Sequence, residues 1–323
     1  MKTHAIRVHA FGGPEALRWE AMDLREPRPG EVVLRHTAVG LNFVEVMQRT
    51  GAYPARPPFT PGNEGAGVVE VLGEGVTGLR VGDRVAYAPV MGSYSERRLI
   101  AAERLVRLPD GIDDRSAAGM MLGGMTAQYL CRQIHRVGAG EVVLVQAAAG
   151  GVGLLLSQWA ASLGATVIGV VSTVEKARLA MDHGCAHAVL ATEDVLAAVR
   201  TATGGAMADV AFDAVGRDSF AASMDSLRPR GHLVSYGQAS GPVPPLDIAV
   251  LGRKGSLTLT RGTLADFTAT RDDLVACAAD LFAAVERGDV RVRVNQSFPL
   301  RDAALAHAAL EARQTTGSTV LLP

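Results

Sequence analysis

The chain has 323 residues, 48% of them hydrophobic and 20% charged, with a mean hydropathy of +0.17. That length exceeds what one core organises efficiently and predicts two domains, while the composition is that of a soluble enzyme and excludes a disordered chain. A formal net charge of −1 provides no global field for a polyanion, which argues against nucleic acid or an anionic membrane as partner and makes any phosphate recognition local.

The opening stretch from Met1 lacks the apolar core of a signal peptide, and no apolar run of about 18 residues follows, so the chain reads as cytoplasmic with no membrane span. Up to about Leu122, short β-rich runs (Glu31–His36, Gly65–Leu72, Arg84–Tyr87) are punctuated by Gly and Pro without helices between them. That pattern predicts an antiparallel, barrel-like β domain. Pro57, Pro58 and Pro61 lack ladder donors, which makes the segment from Arg56 to Gly62 a surface loop. Cys131, Cys185 and Cys277 are odd in number and far apart, the pattern of buried small hydrophobes and not of a disulfide framework or zinc site.

From Thr126 onward, apolar strands alternate with Ala/Leu-rich helical segments. The strand candidates are Val142–Gln146, Thr166–Val171, Ala188–Leu190, Asp209–Asp213, His232–Tyr236 and Ser256–Thr260. Six strands in this rhythm predict an α/β fold with a doubly wound, parallel six-stranded Rossmann sheet. A helix over Thr270–Arg287, the run Val290–Phe298, a helix near Ala303–Arg313 and a strand at Thr319–Leu322 close the chain; about 60 residues make a marginal core alone, so this tail is expected to pack back on the N-terminal domain.

The strongest chemical signal is VVLVQ-AAAGGVG-LLLSQWAASLGA, a strand running into a glycine-rich turn and then a helix that stops at Gly164. The template G-x-G-x-x-G falls on Ala148, Gly150 and Gly153, two glycines of three. Strand-to-helix turns also use glycine for steric reasons alone, but this turn sits inside a strand–helix–strand unit, the context in which the motif binds a dinucleotide. Gly150, Gly151, Val152 and Gly153 would then cradle the pyrophosphate at a helix N-terminus.

An NAD site carries an acid about 20 residues further on, at the end of the second strand. Here the chain reads Gly169-Val-Val-Ser-Thr-Val-Glu-Lys. Ser172, Thr173 and Lys176 are the groups available to a 2′-phosphate, so the expected cofactor is NADPH. Lysine occurs only at Lys2, Lys176 and Lys254, which makes its presence here informative; a solvated helix-start charge is the plainer alternative, and Glu175 is the residue that would serve as an acid.

Zinc alcohol dehydrogenases carry a ligating Cys and a Gly-His-Glu motif in places that here read Gly40-Leu-Asn42 and Gly62-Asn63-Glu64, with no cysteine before Cys131. Thiolate and imidazole are both absent, so no metal site is expected. The same segments, together with Gly12-Gly-Pro-Glu-Ala-Leu, Asn42-Phe-Val-Glu, Arg49-Thr-Gly-Ala-Tyr-Pro, Ala147–Gly153, Asp213-Ala-Val-Gly-Arg-Asp, Lys254-Gly-Ser-Leu and Arg313-Gln-Thr-Thr-Gly-Ser, are similar to the zinc-independent quinone oxidoreductases and zeta-crystallins of the medium-chain dehydrogenase/reductase superfamily.

The resemblance implies a discontinuous GroES-like catalytic domain (1–124 and 264–323), a Rossmann domain (125–263), an active site in the cleft and a homodimer. It implies that Asn42 and the segment Phe43–Met47 line the nicotinamide pocket, that Tyr53 stands at the cleft, that Thr126 lies near the cofactor, that Tyr236 follows the fifth strand and that Arg313 reaches back to the cofactor. Asn42 and Tyr53 become the candidates for polarising or protonating a substrate oxygen, although Tyr53 also reads as a loop aromatic that only packs. Two departures bear on specificity: Met47 stands where these reductases often have tyrosine, and a tyrosine beside the adenine is replaced near Ala191. The implied activity is NADPH-dependent quinone reduction without metal. The alternatives are reduction of an enone or enoyl thioester, and an NADPH-binding protein without catalysis, crystallin-like or RNA-binding.

Overall fold

In the computed structural model, which describes Met1–Pro323, the chain forms two compact units. One comprises Met1–Gly123, Thr268–Phe282 and Val292–Pro323; the other comprises Gly124–Phe267 and Ala283–Arg291.

The N-terminal part supplies β1 (Lys2–Val8), β2 (Leu17–Asp23), β3 (Glu31–Leu41), α1 (Phe43–Arg49), β4 (Gly65–Leu72), β5 (Arg84–Tyr87), β6 (Arg97–Ala101) and β7 (Val106–Arg107). Helix α2 (Asp114–Tyr129) runs into a π-helical turn at Leu130–Ile134. Then follow β8 (Val142–Gln146), α3 (Gly151–Ser162), β9 (Thr166–Val171), α4 (Val174–Met181), β10 (Cys185–Leu190), α5 (Val195–Ala202), β11 (Ala208–Asp213), α6 (Phe220–Asp225), β12 (Leu227–Ser235), α7 (Ala249–Arg253), β13 (Thr258–Thr260) and α8 (Leu264–Phe267). The chain closes with α9 (Arg271–Glu286), β14 (Val294–Pro299), α10 (Ala303–Glu311) and β15 (Ser318–Leu322).

The first unit is built on a seven-stranded sheet ordered β14-β15-β3-β4-β5-β7, with β6 also paired to β3, beside the antiparallel ribbon β1-β2. β15 pairs antiparallel with β3, Val320 opposite Gly40, so the C-terminal strand is laid directly on the strand that leads into Asn42. Val32, Leu34, Val69, Val85, Tyr87, Ile100 and Leu105 form one core cluster, and Ile6, Val8, Leu17, Val39, Leu41, Phe59, Tyr94 and Leu300 belong to a second. The proline-rich segment expected on the surface is irregular, as missing donors dictate, but it is not wholly exposed. Phe59 keeps its own N–H and C=O, exchanges both with Val8 (3.1 and 2.9 Å), and buries its ring in the core.

The second unit holds six parallel strands ordered β10-β9-β8-β11-β12-β13, the doubly wound order with its switch point between β8 and β11. Val143, Leu144 and Val145 are all fully buried, which is why the central strand reads as a continuous apolar run and not an alternating one. Cys131, Cys185 and Cys277 are buried, and no two of them form a disulfide.

Candidate active site

In the second unit the glycine turn forms where β8 ends. Ala147 is left-handed (φ 53°), and Gly150 caps α3 with extended backbone (φ −83°, ψ 176°). Gly153 lies against the strand end: a Cβ there would overlap the Ala147 carbonyl oxygen and come within 2.8 Å of Ala148 Cα. At Gly150 the same atom would meet only the Ala147 oxygen, at 3.2 Å, so the protein's own packing does not demand glycine there. The first amides of α3, on Gly151, Val152 and Gly153, have no intrahelical acceptor and stand at the positive end of the helix. This turn fits a pyrophosphate.

At the end of β9, Ser172 and Thr173 are exposed and Lys176 is half-buried. Thr173 caps α4, its hydroxyl accepting from the Lys176 backbone N–H at 3.3 Å. The Glu175 carboxyl is held below its usual range by its own backbone amide and by the Thr173 hydroxyl, so the one nearby acid is engaged at the helix start. Ser172, Thr173 and Lys176 thus share one strand–helix junction. Beside Ala191 a cavity of about 360 Å³ is walled by Val170, Val195, Leu196 and Ala222, with Glu193, Asp194 and Asp218 also lining it.

β11 ends in the fully buried Asp213, whose carboxyl oxygens accept from the amides of Val215 and Gly216 (2.9 Å each) and from the hydroxyls of Ser219 and Ser223 (2.7 Å each). These bonds fix the Asp213-Ala-Val-Gly loop. Tyr236 follows β12 and donates its backbone N–H to the Asp213 carbonyl at 2.8 Å; burial pushes its hydroxyl pKa upward. Thr126 is buried within α2.

In the first unit Asn42, Phe43 and Met47 stand at the start and along the face of α1, and the backbone N–H of Tyr53 bonds to the Met47 carbonyl at 2.9 Å. Four of these expected residues are therefore gathered by one short helix. Its presence differs from the helix-free domain expected, and the cause is local: Asn42 is the N-cap, and Glu45, three residues on, returns its carboxyl to the Asn42 backbone N–H at 2.6 Å. Arg313 follows α10, exposed and left-handed (φ 58°).

Around Asn42 lies a polar cluster in which Glu45, Gln48 and Glu64 had not been singled out for a role. Asn42 Nδ2 donates to Glu64 Oε1 at 2.6 Å, and the Leu122 backbone N–H donates to Glu64 Oε2 at 2.6 Å. Asn63 Nδ2 donates to Glu45 Oε1 at 2.6 Å and to Gln48 Oε1 at 3.0 Å. Burial pushes the Glu45 carboxyl up to about 7 and the Glu64 carboxyl up to about 8, against the hydrogen bonds that favour their charged forms. Asn42-x-x-Glu45 is a capping pattern, and it was the available signal for Glu45. The two asparagines at the positions of the zinc dehydrogenase ligands are thus donors to carboxyls, a set that does not fit zinc, and nowhere in the chain do three His, Cys, Asp or Glu side chains converge as a metal site.

Two family models match the chain, the alcohol dehydrogenase GroES-like domain over residues 28–139 and the zinc-binding dehydrogenase over residues 151–282. A quinone oxidoreductase of Pseudomonas aeruginosa is 50% identical over 98% of this chain and 99% of its own. A 2-haloacrylate reductase of a Burkholderia species is 45% identical over 99% and 98%. The crystal structure of Escherichia coli quinone oxidoreductase complexed with NADPH superposes with a TM-score of 0.97 at 38% identity, covering 99% of this chain and all of that one. With its parallel six-stranded sheet and GroES-like domain, the chain is an oxidoreductase and belongs to the quinone oxidoreductase, zeta-crystallin-like family of the medium-chain dehydrogenase/reductase superfamily.

Proposed function

We propose that this chain is an NADPH-dependent quinone reductase that works without a metal ion. The observation that carries the reading is the replacement of metal-ligand positions by amides bound to buried carboxyls, Asn42 to Glu64 and Asn63 to Glu45, in a chain with an intact dinucleotide turn. Full-length similarity to a quinone oxidoreductase crystallised with NADPH supports it.

Residues 125–263 form the nucleotide-binding domain in this reading, and 1–124 with 264–323 the catalytic domain. The amides of Gly150, Gly151, Val152 and Gly153 hold the pyrophosphate, with Thr126 and Tyr236 along the cofactor. Ser172, Thr173 and Lys176 hold the 2′-phosphate, and Arg313 adds a cation to the cofactor site. NADPH, when bound, supplies the reducing equivalents. Phe43 and Met47 wall the nicotinamide pocket and exclude water from it. Asn42 and Tyr53 hydrogen-bond the quinone oxygen on which charge develops, and proximity does most of the rest, because a quinone is electrophilic without a Lewis acid. The working particle is a homodimer, to be read from sedimentation equilibrium. No helix is long and apolar enough to cross a membrane.

The test is steady-state kinetics on a panel of ortho- and para-quinones beside enones, crotonyl thioester and saturated aldehydes. Quinones are expected to have the highest kcat/KM. A simple aldehyde turned over as efficiently would overturn the reading, and a preference for the enone or thioester would move the activity to C=C reduction.

A further inference from the structure

Glu64 and Glu45 are fully buried carboxyls, 1% and 0% exposed, in a protein whose reaction as proposed above needs no acid at either place. Burying a carboxyl is costly unless its oxygens are bonded. Glu64 is seated deliberately. Gly40 on β3 has no side chain where a Cβ would overlap both Glu64 Oε1 and the Ala118 carbonyl oxygen, so this glycine makes the space that the carboxyl occupies. Its two oxygens are then divided between two neutral donors, the Leu122 backbone N–H and Asn42 Nδ2, at 2.6 Å each. Glu45 grips the same asparagine by its backbone N–H. Both acids hold Asn42, one by its main chain and the other by its side chain.

The two ends of a carboxamide are nearly the same size, so packing alone does not choose between them; hydrogen bonding does. An ionised Glu64 only accepts, which keeps the nitrogen of Asn42 against it and leaves Oδ1 on the other side, where the α1 capping box directs it to the Glu45 backbone N–H. A neutral Glu64 must leave an unprotonated oxygen to the Leu122 N–H, whose position the backbone fixes. Its proton then sits on Oε1, which becomes a donor that Asn42 Oδ1 can accept once the amide turns over, so protonation lifts the restraint that holds the nitrogen there. We propose that Glu64 is a positioning residue for the reaction: it holds the Asn42 carboxamide in one of its two orientations and so decides which end, oxygen or nitrogen, meets the quinone. This rests on Asn42 touching the substrate.

The other ionisable groups bearing on Glu64 are Glu45 from α1, whose charge opposes its ionisation, and two buried tyrosines, Tyr87 from β5 and Tyr94 from the segment before β6. The cations beyond them are engaged: Arg98 bonds to the Tyr87 hydroxyl at 3.0 Å, and Arg49 bonds to Glu311 at 2.7 Å. Burial displaces the Glu64 titration to about 8, so the choice of amide orientation falls within the neutral range.

The experiment measures kcat and KM for a quinone from pH 5.5 to 9 in wild type, Asn42→Ala, Glu64→Gln and the double variant, with thermal unfolding followed by circular dichroism as the check on folding. A glutamine at 64 has to keep its oxygen on the Leu122 N–H and so presents NH2 to Asn42, which fixes the turned-over amide. Expected is a loss of kcat of about tenfold in Asn42→Ala, the scale of one hydrogen bond to a reacting oxygen, and a loss of the same size in Glu64→Gln above about pH 8, where wild-type Glu64 is ionised. A cooperative thermal transition should persist in all variants, the wild-type profile should carry one ionisation in the neutral range that Glu64→Gln lacks, and the double variant should be no slower than Asn42→Ala. If Asn42→Ala is slowed while Glu64→Gln keeps full rate and the wild-type profile, or if the two losses multiply in the double variant, the positioning role is overturned. If Asn42→Ala keeps full rate, Asn42 is not at the substrate and both readings fall. Should Glu64→Gln not fold, Glu64→Asp serves in its place. It keeps the charge but withdraws the carboxyl by one methylene, and must lose kcat while retaining the ionisation; full kcat would overturn the proposal.

Discussion

Gly150→Ala and Gly153→Ala separate room made for a ligand from room made for packing. At Gly153 the new methyl overlaps a backbone oxygen and lies within 2.9 Å of two Ala148 backbone atoms, none of which can rotate aside. Overpacking of this kind costs about 1–3 kcal/mol, and at roughly 2–4 °C per kcal/mol the Tm should fall by roughly 2–12 °C. At Gly150 the backbone is in a region that alanine adopts freely, and the methyl meets one oxygen at 3.2 Å, which a shift of a few tenths of an ångström relieves. The Tm should stay within about 2 °C of wild type, since the lost unfolded-state freedom of glycine offsets the crowding. The pyrophosphate, however, would meet that methyl. Losing one charge-assisted amide contact of about 1.5–3 kcal/mol weakens NADPH binding by roughly ten- to a hundred-fold. Differential scanning fluorimetry without nucleotide and a titration of NADPH fluorescence read the two quantities separately. Wild-type NADPH affinity in Gly150→Ala, or an equal loss of Tm in both variants, would refute the argument.

Lys176→Ala is expected to weaken NADPH roughly ten- to a hundred-fold and leave NADH little changed, while Glu175→Ala leaves the preference intact because its carboxyl is engaged at the α4 start; isothermal titration with both nucleotides checks this, and a wild-type preference for NADH would contradict it. Elemental analysis of the purified enzyme should find substoichiometric zinc, and a chelator should leave turnover unchanged; stoichiometric zinc lost together with activity would count against the reading of Asn42 and Asn63. Burial raises the folded-state Glu45 carboxyl to about 7 from 4.5, so the stability it contributes is complete below about pH 4.5 and is lost as pH rises through 7. The Tm of wild type relative to Glu45→Gln should therefore fall across that window, and a difference independent of pH would show that the carboxyl does not titrate there.

The Rossmann strands were legible where a buried strand has to be a continuous apolar run bounded by glycine. Val142–Gln146 and Thr166–Val171 begin and end where the sequence says, and so do Gly65–Leu72 and Arg84–Tyr87 in the first unit. Boundaries slipped where backbone conformation overrides side-chain pattern. β12 was expected from His232 but starts at Leu227, because Arg228-Pro-Arg-Gly reads as a turn while the chain carries the strand through it with Arg230 left-handed (φ 61°). β13 was expected from Ser256 but starts at Thr258, Ser256 being left-handed (φ 58°). β1 and β2 were not recognised: their patterns mix charged residues with single buried ones, and their pairing is decided by each other across a connection that no local signal describes.

The glycine turn was legible because a ligand and a tight backbone both demand glycine at fixed offsets. The polar cluster beneath Asn42 was not, because its logic is pairwise and long-range. Asn42 and Asn63 read from the sequence as absences, places without a metal ligand. In the structure they are donors, each bonded at 2.6 Å to a carboxyl contributed from elsewhere in the unit. Such donors are what Glu45 and Glu64 require once no cation neutralises them, since a buried acceptor left without a partner costs about 1–3 kcal/mol and a charged one more. An apolar residue at 42 or 63 would strand the acid facing it. Asparagine is thus explained at both positions by the acids, and Glu64 in turn by the slot that Gly40 leaves. The mutual dependence of Gly40, Asn42, Asn63, Glu45 and Glu64 emerges only when β3, α1 and the strand start at β4 are brought together, which is why the residues could be quoted from the sequence and their purpose could not.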